Sequence, residues 1–393
     1  MRVLIASPFV PWPQDSGGRI RSFQLYVHAA GEVEVDLLAV DEGIDHSGAR
    51  EALAGQLANF EIVPRSRVGV RRQAARPKIE RWFHSAELVE RVRAADQAGT
   101  YDLIQLDELP LARALPQRHH TRTLLHHPKL DLDFQRSTAL AGGLMARFDL
   151  AKVAQLERAA ARRFRHHLVC SDEDRHQLIA RYEGLDVSIV PNGFDPAYFA
   201  PRGEARERDR VLFLGSLSYA PNVDGLAWFV REIWPQVRAA RPAAKLEVVG
   251  REPHPNVLAL AAPDIEIVGA VDDVRPHLAR AAALAVPLRV GGGTRLKITE
   301  ALAMQTPVVS TGVGAQGLEL LDGRHLRLAD APGPFAEALI ETLADPVAAS
   351  RLAMDGRAEA ERRFRWPELA RTLVAHWRRV AEEPAPERSA PTG

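Results

Sequence analysis

Residues 281–319 read AAALAVPLRVGGGTRLKITEALAMQTPVVSTGVGAQGLE. The apolar run from Ala281 to Leu288 has the length and composition of a buried strand. Three glycines follow, Gly291, Gly292 and Gly293, and then Thr294, Arg295, Leu296 and Lys297. The spacing of Ile298, Leu302 and Ala303 predicts a helix. Pro307 to Val309 reads as the next strand, ending in Ser310-Thr311 and a second glycine-rich loop. Strand, glycine loop, helix, strand is the unit from which a parallel α/β sheet is built. Glycines let a ligand approach the backbone, and a helix start offers N–H groups and the positive end of a dipole. Arg295 and Lys297 add fixed positive charge of the kind a diphosphate requires. An ordinary strand-to-helix turn with solvated basic residues has the same local pattern, so one glycine loop is weak on its own.

The longer segment GGGTRLKITEALAMQTPVVST, residues 291–311, resembles the donor-site signature of family-four retaining glycosyltransferases. That family has the GT-B fold, in which two Rossmann-like βαβ domains face a central cleft. Many members carry two glutamates separated by seven residues. Glu300 matches the second, which in the family binds the nucleotide ribose. Gly292 stands where the first would be, so the chain resembles a branch whose signature is GGGTRLK followed by the helix glutamate. The departure leaves open how the sugar hydroxyls are held.

The chain has 393 residues, a length that favours two domains. Its composition is that of a globular protein, with 46% hydrophobic and 26% charged residues. The formal net charge is zero, so bulk electrostatics points to neither nucleic acid nor a membrane. The single cysteine, Cys170, excludes an internal disulfide and a cysteine metal cluster, and its HLVCS context reads as a small buried hydrophobe. The opening MRVLIASPFV reads as a strand and not as a signal peptide. No apolar stretch approaches the roughly 20 residues of a membrane span. These features predict a cytoplasmic chain. Only five of its 51 basic residues are lysines, which makes Lys297 inside the signature informative.

Residues 2–10 read as a first parallel strand, leading through a turn with Gly17 and Gly18 into a helix. The G-x-G-x-x-G dinucleotide spacing is absent. The resemblance puts this loop across the cleft from the donor phosphates, with Arg19 and Arg21 facing the cleft or simply lying on the surface. Further strands are predicted at 33–40, 60–63, 103–106 and 123–126, separated by helices. Residues 65–81 carry seven basic residues and one acid. They read either as a solvated surface helix or as a contact with an anionic acceptor or the inner membrane face. In TLLHHPKLDLDF, residues 123–134, the resemblance points to His127 as the histidine near the reacting sugar, with His126 as the alternative. Relatives have Asn or Asp where this chain has Pro128. Asp131 and Asp133 form a D-x-D, a pair that is common by chance, and no metal site is expected.

SIVPNGFDPAYF, residues 188–199, resembles the family's domain-closing strand and turn. A first domain over 1–200, a linker over 201–210 and a second domain over 211–365 are expected. A final helix over about 366–383, with an apolar stripe through Leu369, Leu373, Val374 and Trp377, should return to the first domain. Residues 384–393 should be a disordered tail. In the second domain the resemblance places the donor nucleotide against Gly215, Ser216, Gly250, Arg251, Val271, Gly292, Gly293, Thr294, Leu296 and Glu300. The loop after Gly215 lacks the arginine and lysine found in many relatives. Arg295 and Lys297 are the compensating cations, and with His127 they form the expected catalytic set. The implied activity is transfer of a hexose from a UDP- or GDP-sugar, with retention and without a cofactor. The implied acceptor hydroxyl belongs to a lipid-linked or surface glycan precursor or to a natural-product aglycone. A sugar-nucleotide epimerase and a non-catalytic nucleotide-sugar-binding protein are the competing readings.

Overall fold

A computed structural model describes residues 1–66, 75–117, 119–139, 143–201 and 203–383. Residues 67–74, the centre of the basic run 65–81, and residues 384–393 lie outside the described residues. The chain divides into two compact units, Met1–Pro191 with Pro367–Gly393, and Asn192–Trp366.

Among the described residues the first unit contains seven parallel strands: β1 (Arg2–Ser7), β2 (Glu34–Asp41), β3 (Asn59–Pro64), β4 (Leu103–Asp107), β5 (Thr123–His127), β6 (His166–Val169) and β7 (Asp186–Ile189). Their order is β3-β2-β1-β4-β5-β6-β7. β1, β4 and β5 are buried along their whole described length apart from Arg2, which is why they are mostly apolar and do not alternate with solvent-facing residues. Cys170 is buried beside β5, and burial pushes its thiol up to about 11.

The second unit contains β8 (Glu207–Leu214), β9 (Lys245–Val249), β10 (Ile265–Gly269), β11 (Ala281–Val286), β12 (Val308–Ser310) and β13 (Arg327–Leu328). Their order is β10-β9-β8-β11-β12-β13, with every pairing parallel. Separate apolar clusters cover the two faces of this sheet. One is centred on Leu284, Ile298 and Leu302, the other on Phe213, Phe229 and Phe335.

The division falls at Pro191–Asn192, not at residue 200, and β8 begins inside the stretch 201–210 that composition marks as a linker. Packing explains both differences. Asn192 donates from its backbone N–H to Thr294 Oγ1 at 3.1 Å and from Nδ2 to the Thr294 carbonyl at 2.9 Å. Phe194 and Phe199 are buried in the second unit's core. Arg206, in the charged run, sends its guanidinium to the carbonyls of Ala281 and Gln305. The charged residues 207–210 are the partly exposed amino end of the central strand β8, not a free linker.

The last helix, Trp366–Glu382, packs within the first unit. Leu369, Leu373, Val374 and Trp377 are all buried, so the apolar stripe is its inward face. Trp377 Nε1 donates to Gln105 Oε1 on β4 at 2.8 Å. No helix among the described residues is long and apolar enough to cross a membrane.

Candidate functional site

In the second unit the chain turns from strand to helix at several carboxyl ends of the sheet, and the turns touch. β8 ends at Leu214 and is followed by Gly215, Ser216 and the helix Ala220–Trp228. Gly215 has a φ of 152°, and a Cβ there would lie 2.7 Å from Lys297 Nζ and 2.8 Å from Asn222 Nδ2. The absent side chain is what admits the Lys297 ammonium to the β8 turn. Gly250, at the end of β9, has the same relation to its neighbour. A Cβ on it would lie 1.8 Å from the Gly215 carbonyl oxygen, and Gly250 N–H donates to Gly269 at 2.8 Å. Residues 215, 250 and 269 therefore form one contiguous backbone surface along three strand ends.

The glycine loop after β11 completes it. Gly293 has a φ of 68°, a left-handed conformation that a residue with a side chain adopts at a cost. Arg295 NH1 donates to the carbonyls of Gly292 and Gly293, so this guanidinium braces the loop from within. The helix Leu296–Ala303 then starts with no side-chain cap and no acid in its first turn. Its leading N–H groups and dipole end are thus not neutralised by the helix itself, which is the condition under which a helix start binds an anion.

Lys297 is held by an amide. Nζ donates to Asn222 Oδ1 at 3.0 Å, Asn222 Nδ2 donates to the Ser216 carbonyl at 2.8 Å, and Nζ lies 5.1 Å from the centre of the Phe213 ring. Asn222 is the residue that positions the cation. Its signal in the sequence is a buried polar side chain in the first turn of a mostly apolar helix. Burial, followed by the repulsion of Arg295, lowers the Lys297 ammonium to about 7, against an upward pull from Glu300. Glu300 stands three residues on, on the same helix face. Burial raises its carboxyl to about 7, opposed by Lys297.

These shifts have opposite consequences for folding. The Lys297 proton is held more weakly in the folded chain than at its ordinary 10.5, so stability rises with pH between about 7 and 10.5. Glu300 holds its proton more tightly than at its ordinary 4.5, so its contribution falls as pH rises from about 4.5 to 7. The pair should therefore leave a dip in the stability of the second unit near neutrality. Urea titrations at about pH 5, 7 and 9 should show it in wild type and not in Lys297→Met/Glu300→Gln. An unchanged profile in the double variant would mean that the two groups do not carry these shifts.

The other expected residues are placed as follows. Thr294 is buried, and its hydroxyl accepts the Asn192 N–H. Ser216 Oγ lies 3.2 Å from Ser218 Oγ. Arg251 accepts Leu217 N–H at its carbonyl, and Val271 packs against the core that contains Ile298.

In the first unit, Gly17 and Gly18 open the helix Gly17–Ala30, whose start also has no side-chain cap and no acid in the first turn. Arg19 is paired with Asp15 at 2.7 Å and Glu42 at 2.9 Å. Arg21 is only 1% exposed and donates to Pro191 O, Val190 O and His126 Nε2. Neither reading of Arg21, as a cleft-facing cation or as a surface arginine, holds: it is interior, and it holds the end of its own unit. His127 is also buried. Its Nε2 lies 2.9 Å from His167 Nδ1, and His167 Nε2 lies 3.0 Å from the Phe164 carbonyl. His167 must donate to that carbonyl, so His127 donates from Nε2 and keeps Nδ1 as its acceptor. Burial holds both rings neutral, with His167 lowered to about 4. Asp131 and Asp133 open the helix Asp131–Ala139 and are engaged separately, Asp131 with Lys129 at 3.6 Å and Asp133 with Arg181 at 2.6 Å.

Two parallel Rossmann-like sheets of these orders define the GT-B class of fold, and solved glycosyltransferase structures match the chain over almost its whole length. Sucrose-phosphate synthase from Thermosynechococcus elongatus is similar with a TM-score of 0.73 at 19% identity, covering 96% of this chain and 98% of that one. HepE from Anabaena, solved in complex with UDP and glucose, is similar with a TM-score of 0.67 at 15% identity, covering 96% and 100%. WaaG, a glycosyltransferase involved in lipopolysaccharide biosynthesis, is similar with a TM-score of 0.67 at 15% identity, covering 98% and 100%. Identities this low establish the fold and nothing finer. Within the second unit, residues 208–345 match the family described as Glycosyl transferases group 1. No curated protein matches by sequence.

Proposed function

We propose that the protein is a glycosyltransferase that moves a hexose from a UDP- or GDP-sugar to an acceptor hydroxyl, with retention and without a metal ion. The observation that carries this reading is the placement of Lys297. A lysine held by Asn222 against Gly215 stands at the start of an uncapped helix that follows three glycines. The family match over 208–345 and the UDP complex of a similar structure support the same assignment.

In this reading the donor diphosphate lies against the N–H groups of the Leu296–Ala303 helix start, with Lys297 on one side and Glu300 accepting from the ribose hydroxyls. As the bond from the anomeric carbon to the phosphate oxygen breaks, charge builds on that oxygen. The helix start and Lys297 stabilise it where it forms. The acceptor oxygen bonds to the anomeric carbon on the same face, and its proton passes to the departing phosphate oxygen. The acceptor is a lipid-linked or surface glycan precursor or a natural-product aglycone.

A thermal-shift panel of nucleotides and nucleotide sugars tests the donor assignment, because a ligand that binds only the folded state raises its melting temperature. Saturable stabilisation by UDP or GDP compounds is expected. A flat response across the panel would sink the proposal. Incubation of the donor without acceptor separates the competing chemistry, since an epimerase would yield an isomeric sugar nucleotide. Glu300→Ala should weaken nucleotide affinity about tenfold, which corresponds to the loss of a charge-assisted hydrogen bond. Calorimetry that finds equal affinity in wild type and variant would remove the ribose role.

A further inference from the structure

The first unit has a cavity of about 240 Å³ that the proposed chemistry does not use. It lies among the short helix Lys78–Trp82, the start of the helix Ala86–Ala98 and the turn Leu109–Leu111. That turn follows β4, and Ser85 Oγ donates to the Pro64 carbonyl at the end of β3. The cavity therefore opens at the carboxyl end of the sheet, where open α/β sheets bind ligands.

Its lining has two characters. Phe83, Val89 and Leu111 form an apolar floor, and the guanidiniums of Arg76, Arg93 and Arg113 stand around it. Among the described residues that line it, a single carboxylate answers them. Glu80 is 2% exposed, lies 3.0 Å from Arg76 and 2.8 Å from Arg113, and is thereby already engaged. Arg93 donates from Nε to the Ala114 carbonyl at 3.0 Å. Behind them Arg163 donates to the Ala112 carbonyl, and its buried Nε has no partner among the described residues. Burial and the repulsion of Arg113 and Arg93 lower the Arg163 guanidinium. Four guanidiniums around one buried carboxylate leave excess positive charge in a place of reduced solvation, where an anion is held more strongly than on open surface.

We infer that this cavity is a binding site for an anionic amphiphile, a phosphate or carboxylate carried on an apolar stem. The stem would lie on Phe83, Val89 and Leu111, and the head group would meet Arg76, Arg93 and Arg113. The inference is independent of the donor assignment, because every residue it uses belongs to the first unit.

Isothermal titration with octyl phosphate below its micelle concentration tests it. Wild type should bind one equivalent saturably, octyl glucoside should not bind, and inorganic phosphate alone should bind more weakly. Arg93→Gln removes an exposed guanidinium and should weaken octyl phosphate about fivefold. Val89→Trp fills the floor and should abolish binding. A parallel titration with octanoate distinguishes the head groups, and the tighter of the two names the natural one. UDP titrated into each variant serves as a folding control and should be unchanged from wild type. Absence of saturable binding, equal binding of octyl glucoside, or full affinity in both variants would overturn the assignment, whatever UDP does.

Discussion

Replacing Lys297 with alanine is expected to lower kcat/KM for the sugar-nucleotide donor about a hundredfold, or about 2.7 kcal/mol of transition-state stabilisation. The size follows from the way the lysine is placed. Its Nζ is fixed by Asn222 and admitted by the bare Gly215, so little of its position is lost to motion, and a bound diphosphate would hold it in the charged form. In a partly desolvated site a fixed cation beside a developing phosphate charge is worth more than the same cation in water. Asn222→Ala should cost less, about tenfold, since the charge remains and only its position is released. Arg295→Ala should also cost at least tenfold, but by loosening the loop, because NH1 of Arg295 is engaged with the carbonyls of Gly292 and Gly293. Release of nucleotide diphosphate over time measures all three variants. A Lys297→Ala enzyme within threefold of wild type would remove the phosphate role from this residue.

The strands were legible in the sequence because parallel strands are buried on both faces. The runs 33–40, 103–106 and 123–126 are rich in Val, Leu and Ile with few polar interruptions, and each is a strand within a residue or two. The glycine loop was legible for a different reason. Gly293 adopts a left-handed conformation, and Gly215 and Gly250 leave no room for a Cβ, so the residue type records the geometry. What sequence did not reveal were the partners of charged and polar residues. Arg206 in a charged run, Arg21 after two glycines and His127 at a strand end all look solvent-facing by type. Each is placed by contacts distant in the chain: Arg206 by carbonyls at 281 and 305, Arg21 by carbonyls at 190 and 191, His127 by His167. Local pattern carries no information about such pairings, and the unit boundary at 191 was missed for the same reason, since it is set by Asn192 reaching Thr294.

Arg21 gives the second large expectation, on stability. Its guanidinium donates to Val190 O at 2.6 Å, Pro191 O at 2.9 Å and His126 Nε2 at 3.1 Å. Burial holds the His126 ring neutral, so its Nδ1–H donates to Asp107 Oδ1 at 3.1 Å while Nε2 accepts from Arg21. Asp107 also accepts from the Tyr26 hydroxyl and, at 2.9 Å, from Gln105 Nε2, and Gln105 Oε1 accepts from Trp377 of the last helix. One buried chain of hydrogen bonds thus ties the Gly17–Ala30 helix, β4, β5, the end of the unit at Pro191 and the C-terminal helix. Arg21→Met fits the space but removes the donor from three buried acceptors and the nearby cation from Asp107. It should cost about 3 kcal/mol, because orphaned buried groups lose their full desolvation energy and not merely the net worth of the bonds. Lysine should not rescue it, since a single ammonium cannot span the three directions a guanidinium fork reaches. Trp377→Phe severs only the outermost bond and should cost about 1 kcal/mol. Urea unfolding of the three variants, followed by far-UV circular dichroism, orders them. If Arg21→Met unfolds at the wild-type midpoint, the network is not what stabilises this unit. The burial of an arginine there would then need an explanation in the chemistry of the site.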